Sequence, residues 1–224
     1  MVANPIPSRR TSEDWSPNQL AKRDTIIQAT ARLMIREGVR ACTSRAISAI
    51  SELSTSALHY YFRDTDEILD LAFRRIGERF FRRLEEVAQD EAKPVDALWG
   101  AATVYLERSS EWHEEGNKGD RGPYAPMLWF EFQAESIRAG DLTTARELSA
   151  LGLTIFEGLI KAAGITPVQA TAQTLYSALL GASIRDSLFH RPTYEVLAEL
   201  SATLRLPAST KYCRAPRSLK PKKA

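Results

Sequence analysis

Cysteine is nearly absent: Cys42 and Cys213 are the only two in 224 residues, too few and too far apart for a disulfide framework or a thiolate metal site. Histidine is as scarce, with His59, His113 and His190 scattered along the chain. No HExxH pair or Cys/His cluster occurs, so no metal ligand set and no catalytic residue is assigned. The glycines at 116, 119 and 122 lie in a polar stretch without a strand before them, which excludes a phosphate-binding loop. No apolar run approaches the roughly 18–20 residues of a membrane span. Residues 1–10 lack the apolar segment of a signal peptide, so a cytoplasmic location is expected, with no membrane partner and no cofactor. Alternating β-branched runs are missing too. With 44% apolar and 26% charged residues the composition is that of a globular chain, and an all-α one.

Net charge is also small, +2, but that total conceals a pattern. Residues 1–63 hold nine basic and five acidic side chains, 64–206 hold 15 and 23, and 207–224 hold six basic and none acidic. A +4 head, a −8 body and a +6 tail thus cancel. Such asymmetry points one end of a chain at a polyanion and turns the other away from it.

About nine helices are expected. Residues 1–17 form a proline-containing arm. Ile26, Ala29, Leu33 and Met34 mark one face of a helix over 18–37, and Gly38 stands where a helix end takes a left-handed residue. Asp64, with Glu67 three residues later, opens a helix running to about Gln89. Another is expected from Pro94 to about Trp112, then a loop over 114–123 and a helix after Pro126. Gly140-Asp141 ends that helix and caps the next. Thr166 reads as a cap with Pro167 in the first turn, and a last helix starts near Pro192. The tail from Pro207 is read as disordered.

Residues 43–62, TSRAISAISELSTSALHYYF, break the helical period. Ile47, Ile50, Leu53, Leu58 and Phe62 fit two short helices joined near Ser51-Glu52-Leu53, with Thr43 and Ser54 as N-caps. The second helix then offers Thr55, Ser56, His59 and Tyr60 and no carboxylate. Short hydroxyls and flat polar rings suit a major groove, and helix N-termini suit phosphate.

With its flanking helices this segment resembles the DNA-binding domain of the TetR/AcrR family of bacterial transcriptional regulators. Gly38, Thr43, Ile47, Ser54, Leu58, Tyr60-Tyr61-Phe62 and Glu67-Ile68-Leu69 carry the resemblance, which covers residues 18–75. It implies a three-helix helix-turn-helix head over 18–63, an effector-binding and dimerisation body over 64–206, and a basic tail over 207–224. It implies a ligand-responsive regulator, a repressor released by a small apolar or aromatic effector, that binds a palindromic double-stranded operator as a homodimer. The alternative is a helical binding protein that has lost operator binding.

Thr43, Arg45, Ser54, Thr55, Ser56, His59, Tyr60 and Thr65 are the DNA-contact candidates. The chain departs from the family in the turn glycine, here Glu52, in a phosphate-gripping tyrosine, here His59, and in a lysine, here Thr65. Arg9, Arg10, Lys22 and Arg40 are the candidates for the charge so lost. Trp99, Tyr105, His113, Met127, Phe130 and Phe156 are the effector candidates, from an aromatic-rich middle. Leu175, Leu179, Ala182, Tyr194, Leu197 and Ser201 form the expected dimer seam.

Overall fold

The computed structural model describes residues 15–107, 128–189 and 191–215, with side chains left out at 186–188. His113, Met127, Arg9, Arg10 and the tail from 216 onward lie outside the described residues. Among those described there are nine α-helices and no strand.

Three short-loop helices make the head. α1 (Pro17–Glu37) begins with a capping box: the Ser16 hydroxyl accepts from the Gln19 amide, and the Gln19 side chain accepts from the Ser16 amide. Gly38 ends it at φ 86°, ψ 169°, extended and reached only by glycine, not the left-handed helical geometry expected. A 3-10 turn over Val39–Ala41 leads to α2 (Ser44–Ser51) and α3 (Thr55–Tyr61), capped by Thr43 and Ser54 as the sequence predicts. Ile26, Met34, Ile47, Leu58, Phe62 and Ile68 close the core of the head.

α4 (Thr65–Gln89) serves both parts. Its first turns pack on α1, where Arg75 pairs with Asp24 and Arg23 with Glu67. Its 25 residues span about 37 Å and continue along α5 to an exposed end at Gln89. The Asp64 carboxylate caps it at the Glu67 amide, 2.8 Å, while Glu67 reaches back one residue further than predicted, to the Arg63 amide at 2.7 Å.

Around it stand α5 (Pro94–Leu106), α6 (Leu128–Ala139), α7 (Thr143–Ala162), α8 (Val168–Phe189) and α9 (Thr193–Thr203). Gly140 (φ 74°) ends α6 as predicted, but Leu142 and not Asp141 stands at the N-cap of α7; the Asp141 carboxylate accepts from the Thr143 amide from one residue further back. α8 starts later than predicted. Its first free carbonyl, Pro167, accepts from Thr171, so Pro167 precedes the helix instead of filling its first turn.

Two expectations for the body are overturned. Leu175, Leu179, Ala182, Leu197 and Ser201 are at most 5% exposed within a single chain, so they cannot form a seam with a second one. They are the stripe that α8 and α9 turn toward α5 and α7. Tyr194 is half-buried, its hydroxyl bonded to Glu195.

The segment after Pro207 is not a solvated tail up to residue 215. The Trp99 indole N–H donates to the Pro207 carbonyl at 2.7 Å. The Ser209 hydroxyl donates to Asp96 at 2.6 Å and accepts from the amides of Lys211 and Tyr212. The Lys211 ammonium and Tyr212 hydroxyl both donate to Glu91, and Cys213 is buried. Nine residues therefore strap the far end of α4 to the start of α5.

Candidate nucleic-acid interface

α2 and α3 are presented by a tight reversal. The Leu53 amide donates to the Ser48 carbonyl at 3.1 Å, and Glu52 takes φ 54°, ψ 37°, the left-handed conformation that favours glycine. The turn therefore keeps the geometry that a glycine would give it and carries the strain of a side chain. A left-handed non-glycine residue costs about 1–2 kcal/mol.

Of the candidates in the helix-turn-helix, Thr43, Arg45, Ser54, Thr55, Ser56, His59 and Tyr60 are all exposed. Thr43, Ser54, Thr55 and Ser56 stand at the starts of α2 and α3, Arg45 lies in the first turn of α2, and His59 and Tyr60 lie in the last turn of α3. The hydroxyls of Thr43 and Ser54 accept from Ala46 and Ala57, at 3.2 and 3.1 Å, so both caps are closed. Ser54 also shares a hydrogen bond with Ser56 (2.9 Å), and Thr55 with Ser48 (3.3 Å). Thr65 differs: it is half-buried, and its hydroxyl lies 2.5 Å from that of Ser44, joining α2 to the start of α4.

The surface is bordered by ordered charge. Burial pushes the Asp64 carboxyl up, but the Arg63 hydrogen bond, the Glu67 amide and the charges of Arg63 and His59 hold it below the usual carboxylate range. Lys22 reaches the Ser51 carbonyl at 3.5 Å and stands beside the turn. Arg40 does not join this face. It turns to the body and pairs with Glu135 at 3.3 Å.

Sequence reasoning missed the role of Trp15 and Gln19. The Trp15 ring stacks on Tyr61 (5.8 Å between centroids, 19°) and meets Tyr60 edge-on (5.8 Å, 80°). The Gln19 amide nitrogen donates to the Tyr60 hydroxyl. The Ser16–Gln19 spacing of a capping box was the available signal, but it says nothing of a partner 41 residues away.

It missed the head–body joint as well. The Glu131 carboxylate of α6 accepts from the Val39 amide at 2.9 Å. Phe132 stacks on Phe73 of α4, 3.6 Å between centroids. Beside this joint opens a cleft of about 600 Å³, walled by Val39, Arg40, Leu69, Asp70, Phe132 and Ser136. Cys42 lies at its base; desolvation, helped by Glu131 and Glu37, pushes its thiol up to about 12.

Among the effector candidates, Trp99, Tyr105 and Phe156 are wholly buried. Tyr105 and Phe156 come together (6.1 Å) with Phe80 and Tyr176 in one aromatic cluster, whereas Trp99 gives its N–H to the C-terminal strap. Phe130 is half-buried on α6.

Comparison with known proteins bears on the head first. Residues 26–72 match the family model described as bacterial regulatory proteins, tetR family. The chain is 30% identical over 77 residues to the HTH-type transcriptional regulator PksA of Bacillus subtilis (strain 168), a stretch spanning 34% of this chain and 38% of that relative. Solved structures share the fold over most of the length. A transcriptional regulator from Streptomyces coelicolor A3(2) has a TM-score of 0.63 at 18% identity, covering 82% of this chain and 96% of that one. A transcriptional regulator from Saccharomonospora viridis in complex with choline has a TM-score of 0.59 at 18% identity, covering 83% and 94%.

Proposed function

We propose, from the match of residues 26–72 to the tetR family of bacterial regulatory proteins, a repressor that binds a palindromic operator as a homodimer and is released by a small effector. The observation that carries this reading is the face of α3. Ser54, Thr55, Ser56, His59 and Tyr60 are exposed together, without a carboxylate, behind a turn of helix-turn-helix geometry. Base edges are read by Thr55, Ser56 and His59, and phosphates are held by Thr43, Arg45, Ser54 and Tyr60. Thr65 acts indirectly, through Ser44.

Two heads must meet half-sites about 34–36 Å apart, or a multiple of that spacing, and a two-fold dimer supplies them. The pairing surface is the outer side of α8 and α9 in place of the residues first expected. Ala178 and the exposed Gly181 allow close approach there, and Ile184 (37% exposed) and Phe189 (69%) supply apolar area. Arg185 and Arg191, both paired with Glu199, border it.

The effector is an apolar or aromatic small molecule taken up by the body against the Tyr105–Phe156 cluster. A neighbour of the same fold described in complex with choline supports a small-molecule ligand as a class. Release requires tighter binding to the dimer whose heads are wrongly spaced, since equal affinity for both states shifts nothing. The chain acts in the cytoplasm and is assigned no catalytic role.

The test is selection of bound sequences from random double-stranded DNA by the purified chain. An inverted repeat is the expected product. Recovery of no preferred sequence would favour a helical binding protein that has lost its operator.

A further inference from the structure

The cleft beside the head–body joint has a chemistry of its own. At about 600 Å³ it is the size of a small-molecule site, and it shares no residue with the Tyr105–Phe156 cluster. Both parts of the chain wall it: Val39 and Cys42 from the segment between α1 and α2, Leu69 and Asp70 from the start of α4, and Phe132 from α6. Val39, Leu69 and Phe132 form its apolar side. Its charge is unbalanced. Three arginines and five carboxylates line it, a formal surplus of two negative charges at neutral pH. Most of these groups are already engaged. Arg40 and Arg138 both pair with Glu135, at 3.3 and 2.6 Å, and Arg63 pairs with Asp64 at 2.6 Å. Glu67 pairs with Arg23 and accepts from the Arg63 amide, while Asp141 accepts from the Thr143 amide. Two carboxylates remain. Asp66 and Asp70 stand one helical turn apart on α4, and neither carboxylate has an ion pair or hydrogen bond among the described residues. Asp66 is exposed and acts on Arg63 through charge alone; Asp70 is half-buried.

We propose that this cleft binds a small organic cation, its ammonium group against Asp66 and Asp70 and its apolar or aromatic body against Leu69, Phe132 and Val39. Like charges one turn apart on a helix repel, and a bound cation relieves that repulsion. Partial burial of Asp70 leaves its attraction for the ligand less screened by salt than a surface pair. An anion meets the surplus negative charge, and a neutral molecule leaves both carboxylates as they were. A bare divalent metal ion fits poorly: two carboxylates fall short of the six or more oxygens it takes, and the apolar side has no use for it. The site is separate from the effector placement at the aromatic cluster and does not depend on the DNA assignment of α3.

The experiment titrates the full chain, without DNA, with phenethylammonium and benzyltrimethylammonium, followed by ligand-observed NMR. Neutral phenethyl alcohol and anionic hydrocinnamate are the comparison probes. Each cation should saturate with a Kd of about 1 mM or tighter, and the two comparison probes should bind about fivefold more weakly or worse. Asp70→Asn keeps the shape of the side chain and removes its charge; it should weaken cation binding about fivefold. Asp66→Asn, at an exposed and more screened position, should weaken it about twofold. Both variants should melt with the wild type, since neither carboxylate has a partner to lose. Glu85→Gln, which removes an exposed carboxylate of the same helix outside the cleft, should leave the affinity unchanged. The same cation affinity in the wild type and in the double variant Asp66→Asn/Asp70→Asn would put the ligand elsewhere and overturn the proposal. Phenethyl alcohol binding as tightly as the cations, or no saturable binding by either cation, would overturn it too. Each of these outcomes leaves the DNA assignment of α3 intact, because no DNA is present.

Discussion

Glu131 holds Val39: the carboxylate of α6 accepts the first free amide after α1 at 2.9 Å, across 92 residues of sequence. Gly38, the residue before, makes room for it. A Cβ built there would stand 3.0 Å from one carboxylate oxygen and 3.3 Å from the other. One bond and one missing methyl thus tie the turn after α1 to α6.

Gly38→Ala should therefore fail twice, through its positive φ and through the Glu131 contact. A loss of about 1–3 kcal/mol in denaturant unfolding is expected. Glu131→Gln keeps an acceptor for the Val39 amide and should stay close to wild-type stability and operator affinity. Glu131→Ala, which leaves the amide unpaired, should weaken operator binding without touching DNA itself.

The opposite sign is expected at the turn between α2 and α3. Glu52 pays for a left-handed conformation that glycine adopts without strain. Glu52→Gly should raise stability by about 1 kcal/mol with operator specificity unchanged. Glu52→Ala should not raise it. Urea midpoints of the two variants check the difference.

Acid should loosen the C-terminal strap. Hydrogen bonds from Lys211 and Tyr212, then the Lys211 charge, hold the Glu91 carboxyl below its ordinary 4.5. A carboxylate lowered in the folded state stabilises above its unfolded value and loses that contribution as pH falls through the folded one. At pH 7 Glu91→Gln should melt about 2–4 °C below wild type, the shift of a 1 kcal/mol change in a chain of this size. As pH falls through the folded-state value, which lies below 4.5, the two melting curves should converge.

Cys42 should be silent in the native chain. Its thiol is buried and its ionisation is pushed up to about 12, so little thiolate forms at pH 8. Alkylation at that pH should proceed only as fast as the head opens, and should accelerate in urea. Rapid native labelling of Cys42 would contradict the packing described for the base of the cleft.

What the sequence disclosed and what it hid divide by range. Thr43, Ser54 and Asp64 act on amides three residues away, and all three caps were legible. The α2–α3 reversal was legible for the same reason, and Glu52 marked its one anomaly. The stripe of Leu175, Leu179 and Ala182 was also visible, but a period of 3.6 shows that a face is apolar, not whose core it meets. Three prolines and a basic composition made the segment after Pro207 look solvated. Its partners Trp99, Asp96 and Glu91 lie more than 100 residues earlier, where no local pattern reaches. Nothing local distinguishes Glu131 from the other carboxylates of an acidic body, because its partner Val39 lies 92 residues earlier.

Whether the proposed α3 face reads sequence is measured by the ratio of affinities for the selected operator and for a scrambled duplex, at fixed salt, in the wild type and in His59→Ala. The wild-type ratio should be on the order of a thousand or more, and the substitution should lower it by about tenfold while sparing the scrambled duplex. A wild-type ratio near one, at any salt concentration that permits binding, would contradict the account.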